Sequence, residues 1–227
     1  MGINALSKLF LISGLSLLLG ACASDSDKDA RVTISSGDTI VPLNDLQYRL
    51  PFVVQVADLD GAPSDNVTVS IKVRITRYFK GSYAHTDLDG DGTTDKWVKT
   101  DTASCAAEDV NNNGVLDAGE DINGNFLLDP ETPTVTSSSE TPTLIPGTSE
   151  LITDSNGFGY FSLTYPKTEA SWVEVQITAT AADGLSENRD VETLRLFVAL
   201  SDLDPVDDPP AFLFSPYGTS ASCSDTF

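Results

Sequence analysis

Val67, Val69, Ile71, Val73 and Ile75 alternate with Thr68, Ser70, Lys72, Arg74 and Thr76 without a break. A strand turns successive side chains to opposite faces, so this run buries one face and wets the other. A helix of about 3.6 residues per turn would scatter the same residues around its surface. The period of two recurs in Phe52, Val54 and Val56, in Phe161, Leu163 and Tyr165, in Val173, Val175, Ile177 and Ala179, and in Leu194, Leu196 and Val198. Val32 to Ile34 and Ile40-Val41 are candidates for short edge strands. Turn-forming stretches separate these runs: DLDGAPSDN at 58–66, TDSNG at 153–157 and AADGLSEN at 181–188. Beyond the N-terminal apolar run no segment of ten or more residues has a helical apolar period. About seven short strands without helices predict an all-β fold, an antiparallel β-sandwich over residues 31–204.

The first residues follow a different rule. Lys8 is the one charge among residues 1–21, Leu9 to Leu19 is an apolar run of eleven, and Leu19-Gly20-Ala21-Cys22 follows at once. Crossing a bilayer core of about 30 Å takes roughly 20 helical residues, so the run has the length of a signal-peptide core rather than a membrane span. Leu19-Gly20-Ala21-Cys22 resembles the lipobox of bacterial lipoproteins. That resemblance implies removal of residues 1–21, lipidation of Cys22, and a tether over residues 22–30. With Ala23 rather than Asp after the cysteine, it also implies sorting to the outer membrane of a Gram-negative envelope, facing the periplasm or the cell surface. Several acyl chains, each stabilised by about 0.8 kcal/mol per buried methylene, would hold the protein to a membrane where one chain is marginal.

The strand blocks carry a second resemblance. PFVVQVADLDGAPSDNVTVSIKV at 51–73, ITDSNGFGYFSLTYP at 152–166 and SWVEVQITATAADG at 171–184 look like the bacterial Ig-like domains of the invasin and intimin type. In those domains a strand ends in an Asp/Asn-Gly turn, and a TD-x-x-G turn opens a later hairpin. The resemblance implies an Ig-like sandwich of about seven strands with an adhesive, interaction or structural role.

Phe79 to Ser149 departs from that pattern, because irregular connections longer than about 12 to 15 residues are uncommon in compact domains. Residues 80–149 are expected to form a mostly irregular insert. Its first part, 85–131, is rich in Asp, Asn and Gly; its second, TPTVTSSSETPTLIPGTS at 132–149, reads as a linker or an extended edge. Calcium takes about six to eight hard oxygen ligands, which a short loop supplies from alternate positions when a Gly permits the tight turn. Asp109, Asn111, Asn113, Gly114, Val115 through its carbonyl, Asp117 and Glu120 fill every position of a twelve-residue EF-hand loop. Asp87, Asp89, Asp91, Gly92 and Asp95 form a second core with Val98 at the twelfth position. Asp121, Asn123, Asn125 and Asp129 form a third, with Phe126 in place of the sixth-position Gly and Thr132 at the twelfth. By this template those two are incomplete, and they resemble the helix-free loops of thrombospondin type 3 and dockerin-like repeats. Asp121 follows Glu120 directly and leaves no room for the exiting helix of a calcium switch, so the ions are expected to staple the insert. Twelve acidic residues between Asp87 and Glu131 face only Lys96 and Lys99, and would repel one another without a cation. The bland alternative is that Asn, Asp and Gly serve only as turn formers.

Composition narrows the function further. With 34 Asp plus Glu against 13 Lys plus Arg and a formal charge of −21, the surface repels nucleic acid and anionic headgroups. His85 is the single histidine, so zinc lacks a ligand cluster. No nucleophile elbow, metalloprotease helix or phosphate loop appears, and the carboxylates stand in calcium-loop register, so the chain reads as non-enzymatic. Cys105 and Cys223 are expected to bridge in an oxidising compartment. Three readings remain: a calcium-ordered envelope lipoprotein contacting a protein or glycan, a periplasmic subunit of an envelope assembly, and a calcium-dependent carbohydrate-binding module. The last would use Tyr78, Phe79, Tyr83, Trp97, Phe212, Phe214 and Tyr217, unless these pack beneath the insert. The tail 205–227 is apolar at Ala211 to Phe214 and is expected to pack back on the domain.

Overall fold

The computed structural model describes residues 30–37, 39–87, 89–92, 96–131, 133–136, 149–182, 187–204 and 209–225. The expected signal segment, Cys22, Asp95, Thr132 and most of the Thr/Ser/Pro-rich stretch lie outside them. Among the described residues ten strands form in chain order: β1 Arg31–Ser36, β2 Val41–Pro42, β3 Gln47–Ala57, β4 Thr68–Thr86, β5 Lys96–Ala106, β6 Thr134–Thr136, β7 Glu150–Ile152, β8 Phe158–Pro166, β9 Val173–Ala182 and β10 Glu187–Arg195. Seven of them exceed three residues, and the helical elements among the described residues are two short 3-10 turns, Lys167–Glu169 and Leu200–Asp202.

The strands make two antiparallel sheets, one ordered β1-β3-β8-β6 with β2 beside β3, the other β10-β9-β4-β5 with β7 beside β4. Their inner faces are the alternating residues of the sequence: Leu50, Phe52, Val54, Phe161 and Leu163 from the first sheet, Val69, Ile71, Val175 and Ile177 from the second, all essentially excluded from solvent. The chain is therefore an all-β sandwich, its layers held by the burial of two apolar faces. At one side β1 packs near β10; the opposite side is bounded by β5 and β6.

Two features differ from the expectation. Of the last apolar run only Leu194 lies in a strand, which starts at Glu187 and ends at Arg195, while Leu196 and Val198 follow it. This is a mostly polar edge strand, which uses Asp190 Oδ2 to accept the Ile34 backbone N–H at 2.8 Å. The span 80–149 is also less irregular than its composition suggests. β4 continues to Thr86, and β5 returns beside it from Thr86↔Lys96 to Arg77↔Ala106. Asp87 to Asp91 thus sit at a hairpin tip, while the loops after Asp109 follow the far end of β5, roughly 30 Å away at about 3.3 Å per residue.

β4 loses its alternation midway. A bulge between Ile75 and Arg77 keeps Tyr78 facing the core, and Tyr78, Phe79, Lys80 and Gly81 are buried in succession. The pairing of β4 with β9 stops at Tyr78↔Val173, leaving free backbone groups beyond it. The C-terminal segment takes that edge: Tyr83 N donates to Leu213 O (2.8 Å), Ser215 N to Gly81 O (3.0 Å) and Gly81 N to Gly218 O (3.0 Å). Lys80, fully buried, donates to Ser220 Oγ, Ser222 O, Asp225 O and Asp225 Oδ1 at 2.7 to 3.1 Å. Cys105 on β5 is disulfide-bonded to Cys223, with the two Cα atoms 5.6 Å apart and 118 residues between them in sequence number.

Gly81 sits at a second bulge with φ +150°. A Cβ there would lie 2.1 Å from Thr100 O, a backbone atom that cannot swing away. Gly81→Ala is expected to destabilise the fold by at least about 2 kcal/mol, read from the urea midpoint at unchanged m-value. A shift smaller than about 0.5 kcal/mol would show that the β4–β5 pair relaxes freely at this point.

Candidate metal centre

Residues 107–131 lead from the end of β5, on one sheet, towards β6, on the other. They therefore close the open side of the sandwich. The first part is the loop that begins at Asp109. Asp109 Oδ1 accepts from Asn113 N (3.0 Å) and Oδ2 from Gly114 N (2.9 Å); Asn111 Oδ1 accepts from Asn113 N (3.0 Å) and Asn113 Oδ1 from Val115 N (2.7 Å). These short polar side chains outcompete water for nearby amides and curl the chain into successive turns. Asn112 and Gly114 take positive φ, 57° and 72°. The Nδ2 groups of Asn111 and Asn113 then meet on Asp117 Oδ2 at 2.7 and 2.8 Å. Glu120 is buried beneath them and accepts from Val110 N at Oε1 (3.1 Å) and from Asp117 N at Oε2 (2.9 Å).

The loop from Asp121 repeats this geometry. Asp121 accepts from Asn125 N and Phe126 N (both 3.1 Å), Asn123 Oδ1 from Asn125 N (2.9 Å) and Asn125 Oδ1 from Leu127 N (2.8 Å). Asn123 and Asn125 donate their Nδ2 groups to Asp129 Oδ2 at 3.0 and 2.6 Å. Positive φ again falls on the fourth and sixth positions, Gly124 at 75° and Phe126 at 63°. Phe126 takes that left-handed conformation with its ring 84% exposed. Its substitution for Gly therefore leaves the loop backbone intact.

Glu108 is the residue that the loop template does not mark. It is fully buried; Oε1 accepts from Ile122 N (3.0 Å) and Asn123 N (3.3 Å), and Oε2 from Asp129 N (3.1 Å). Burial raises its pKa, against three backbone hydrogen bonds that favour the carboxylate. The signal that could have found it is a twelve-residue duplication, EDVNNNGVLDAG at 108–119 and EDINGNFLLDPE at 120–131, in which each unit begins one residue before the Asp that opens the EF-hand pattern.

The hairpin-tip site is separate. Asp87 accepts from Gly90 N (2.6 Å) and Gly92 N (2.9 Å), and Asp89 from Asp91 N (3.1 Å). The amides of Gly92 and Gly90 hold the Asp87 carboxyl below its usual range. Carboxylate oxygens of Asp87, Asp89 and Asp91 lie within 4.8 Å of one another, all exposed. This donor set consists of oxygen alone, as do those of the 109 and 121 loops, which suits a hard cation rather than zinc or copper.

The seven aromatic side chains named above as candidates for sugar stacking are mostly core. Tyr78, Phe79, Tyr83, Phe212 and Tyr217 are buried, Trp97 is half-buried against His85 at a ring separation of 3.6 Å, and Phe214 alone is exposed at 61%. The described residues contain no helix long and apolar enough to cross a membrane. Fold and loops together define a two-sheet antiparallel sandwich whose open side is closed by a duplicated acidic loop. No family model matches the chain, and no curated protein matches it.

Proposed function

We propose that the chain is a non-enzymatic cell-envelope lipoprotein, an Ig-like interaction or structural module whose acidic loops bind calcium. The observation that carries this reading is the pair of turns at Asp109–Glu120 and Asp121–Asp129, which repeat one hydrogen-bonded arrangement of Asp and Asn side chains in calcium-loop spacing. An acid-rich loop at the sandwich side needs a cation more than a bare turn does. Calcium held there would tie the exit of β5 to the entry of β6, acting as a staple rather than a switch.

The lipid anchor rests on the Leu19-Gly20-Ala21-Cys22 sequence, and an oxidising location is supported by the Cys105–Cys223 bridge. A Cys22→Ser chain should lose labelling by a radioactive fatty acid in cells; retained labelling would remove the anchor. The carbohydrate-binding alternative draws little support, since most of its candidate aromatics are buried. Protease treatment of intact cells separates a surface module from a periplasmic subunit.

Calcium titration of the purified full chain, followed by calorimetry, is expected to give dissociation constants of about 0.1 to 1 mM, because Asn at the third and fifth positions lowers the ligand charge. At a free concentration 100 times the constant, one site stabilises the fold by about 2.7 kcal/mol, so the melting temperature should rise with calcium and fall in chelator. No heat of binding up to about 10 mM, with an unchanged melting temperature, would remove the calcium reading.

A further inference from the structure

Glu120 and Glu108 do the same thing in different loops. Glu120 binds the amides of Val110 and Asp117, the second and ninth positions of the loop that begins at Asp109. Glu108 binds the amides of Ile122 and Asp129, the second and ninth positions of the loop that begins at Asp121. Each glutamate also stands immediately before the first Asp of the other loop. The two units are thus related by an exchange, with the acid that precedes each one closing its partner.

Buried oxygens beneath the second loop are independent of that turn geometry. Tyr78 is 1% exposed and its hydroxyl makes no hydrogen bond of full geometry, although the Asn123 side chain stands beside it, with the carboxylates of Glu108 and Asp129 nearby. Glu169 is 9% exposed and faces the Tyr217 hydroxyl, and the carboxylates of Asp129 and Glu131 act on it. None of the five ion pairs among the described residues includes Glu108, Asp129 or Glu169. A hard cation with a bound water supplies what is missing on this side: positive charge between the carboxylates, and a hydrogen-bond partner for Tyr78 Oη.

We infer that residues 108–131 form one two-ion calcium unit in which Glu108, from outside the second loop, is the carboxylate that closes the site of Asp121, Asn123, Asn125 and Asp129. The inference rests on the calcium reading above and adds a ligand that the loop pattern lacks. It replaces the missing acid at the twelfth position of that loop. It also divides neighbouring residues between the sites: Glu108 serves the second and Asp109 the first, Glu120 the first and Asp121 the second.

Native mass spectrometry and calcium titration of the full chain test this. Asp121→Asn marks the second site and should bind one ion fewer than the wild type. Glu108→Gln should lose that same ion or weaken it at least about tenfold, and adding Asp121→Asn should cost no further ion. Glu120→Gln should remove a different ion, so that Glu108→Gln with Glu120→Gln loses two. If Glu108→Gln fails to fold, Glu108→Asp keeps the charge but shortens the reach, and a weakening of about tenfold is expected of it instead. Full stoichiometry and affinities within twofold of wild type for the folded Glu108 variant would overturn the inference while leaving the calcium reading standing. So would an Asp121→Asn chain that keeps every ion. A wild-type chain that binds no calcium would sink both.

Discussion

Trp172→Ala is expected to destabilise the protein by about 3 to 5 kcal/mol, the usual range for emptying a buried tryptophan site. The side chain is fully excluded from solvent and packs edge-on against Tyr83, with ring centroids 5.7 Å apart. Its Nε1 donates to Phe212 O at 3.0 Å, so it also fastens the C-terminal segment to the second sheet. Alanine leaves a cavity and a buried carbonyl without its donor. Trp172→Phe separates the two effects: most of the volume stays, and a cost of about 1 to 3 kcal/mol for the orphaned carbonyl is expected to remain. Guanidinium unfolding measures both. A loss below about 1.5 kcal/mol for the alanine variant would mean that the tail and Tyr83 collapse into the space.

Removing the disulfide ranks with it. The Cys105–Cys223 bridge closes a loop spanning a sequence separation of 118. In the chain-entropy treatment a loop of that size restrains the unfolded chain by about 4 to 5 kcal/mol. The double change Cys105→Ala with Cys223→Ala should lower stability by up to that amount. Because the effect lies in the unfolded chain, it should appear even while the tail's native contacts persist. Those contacts are substantial: the ammonium of Lys80 on Ser222 O and Asp225, and Ser215 Oγ on Phe79 O at 2.6 Å. Limited proteolysis of the folded double variant should therefore still spare residues 209–225. Prompt cleavage there would show that the covalent link, not the hydrogen bonds, holds the tail in place. An unfolding free energy within about 1 kcal/mol of wild type would show that the unfolded chain is already compact enough to make the bridge redundant.

The sandwich was legible because its main strands are half-buried, and burying one face of a strand imposes a period of two that Val67 to Ile75 display openly. β5 was hidden for the converse reason. Lys96 to Ala106 is an edge strand carrying Lys, Thr, Asp and Ser, with only Cys105 buried, so it has almost no apolar rhythm to read. Its partner fixes it, since β4 offers a row of backbone groups that nothing else on that edge pairs. The upstream extent of β10 was missed on the same ground. In the acidic segment, ligand types and spacings around Asp109 could be read from local sequence, because the loop that orients them is itself local. Glu108 could not be read from the loop pattern, because its partners lie in the next loop.

The sequence by itself determined the fold class, the two cysteines available for a bridge, and the oxygen-donor chemistry of the loops. Each follows from residue type and short-range spacing alone. Tertiary structure decided that the hairpin-tip aspartates stand apart from the paired loops, that Glu108 serves the second of those loops, and that the candidate sugar-stacking aromatics are mostly core. It also decided that the C-terminal segment completes β4 where β9 ends. These are facts about which distant residues meet, and they depend on where strands run out of partners. A backbone group left unpaired in the interior is costly enough that some remote part of the chain is selected to satisfy it.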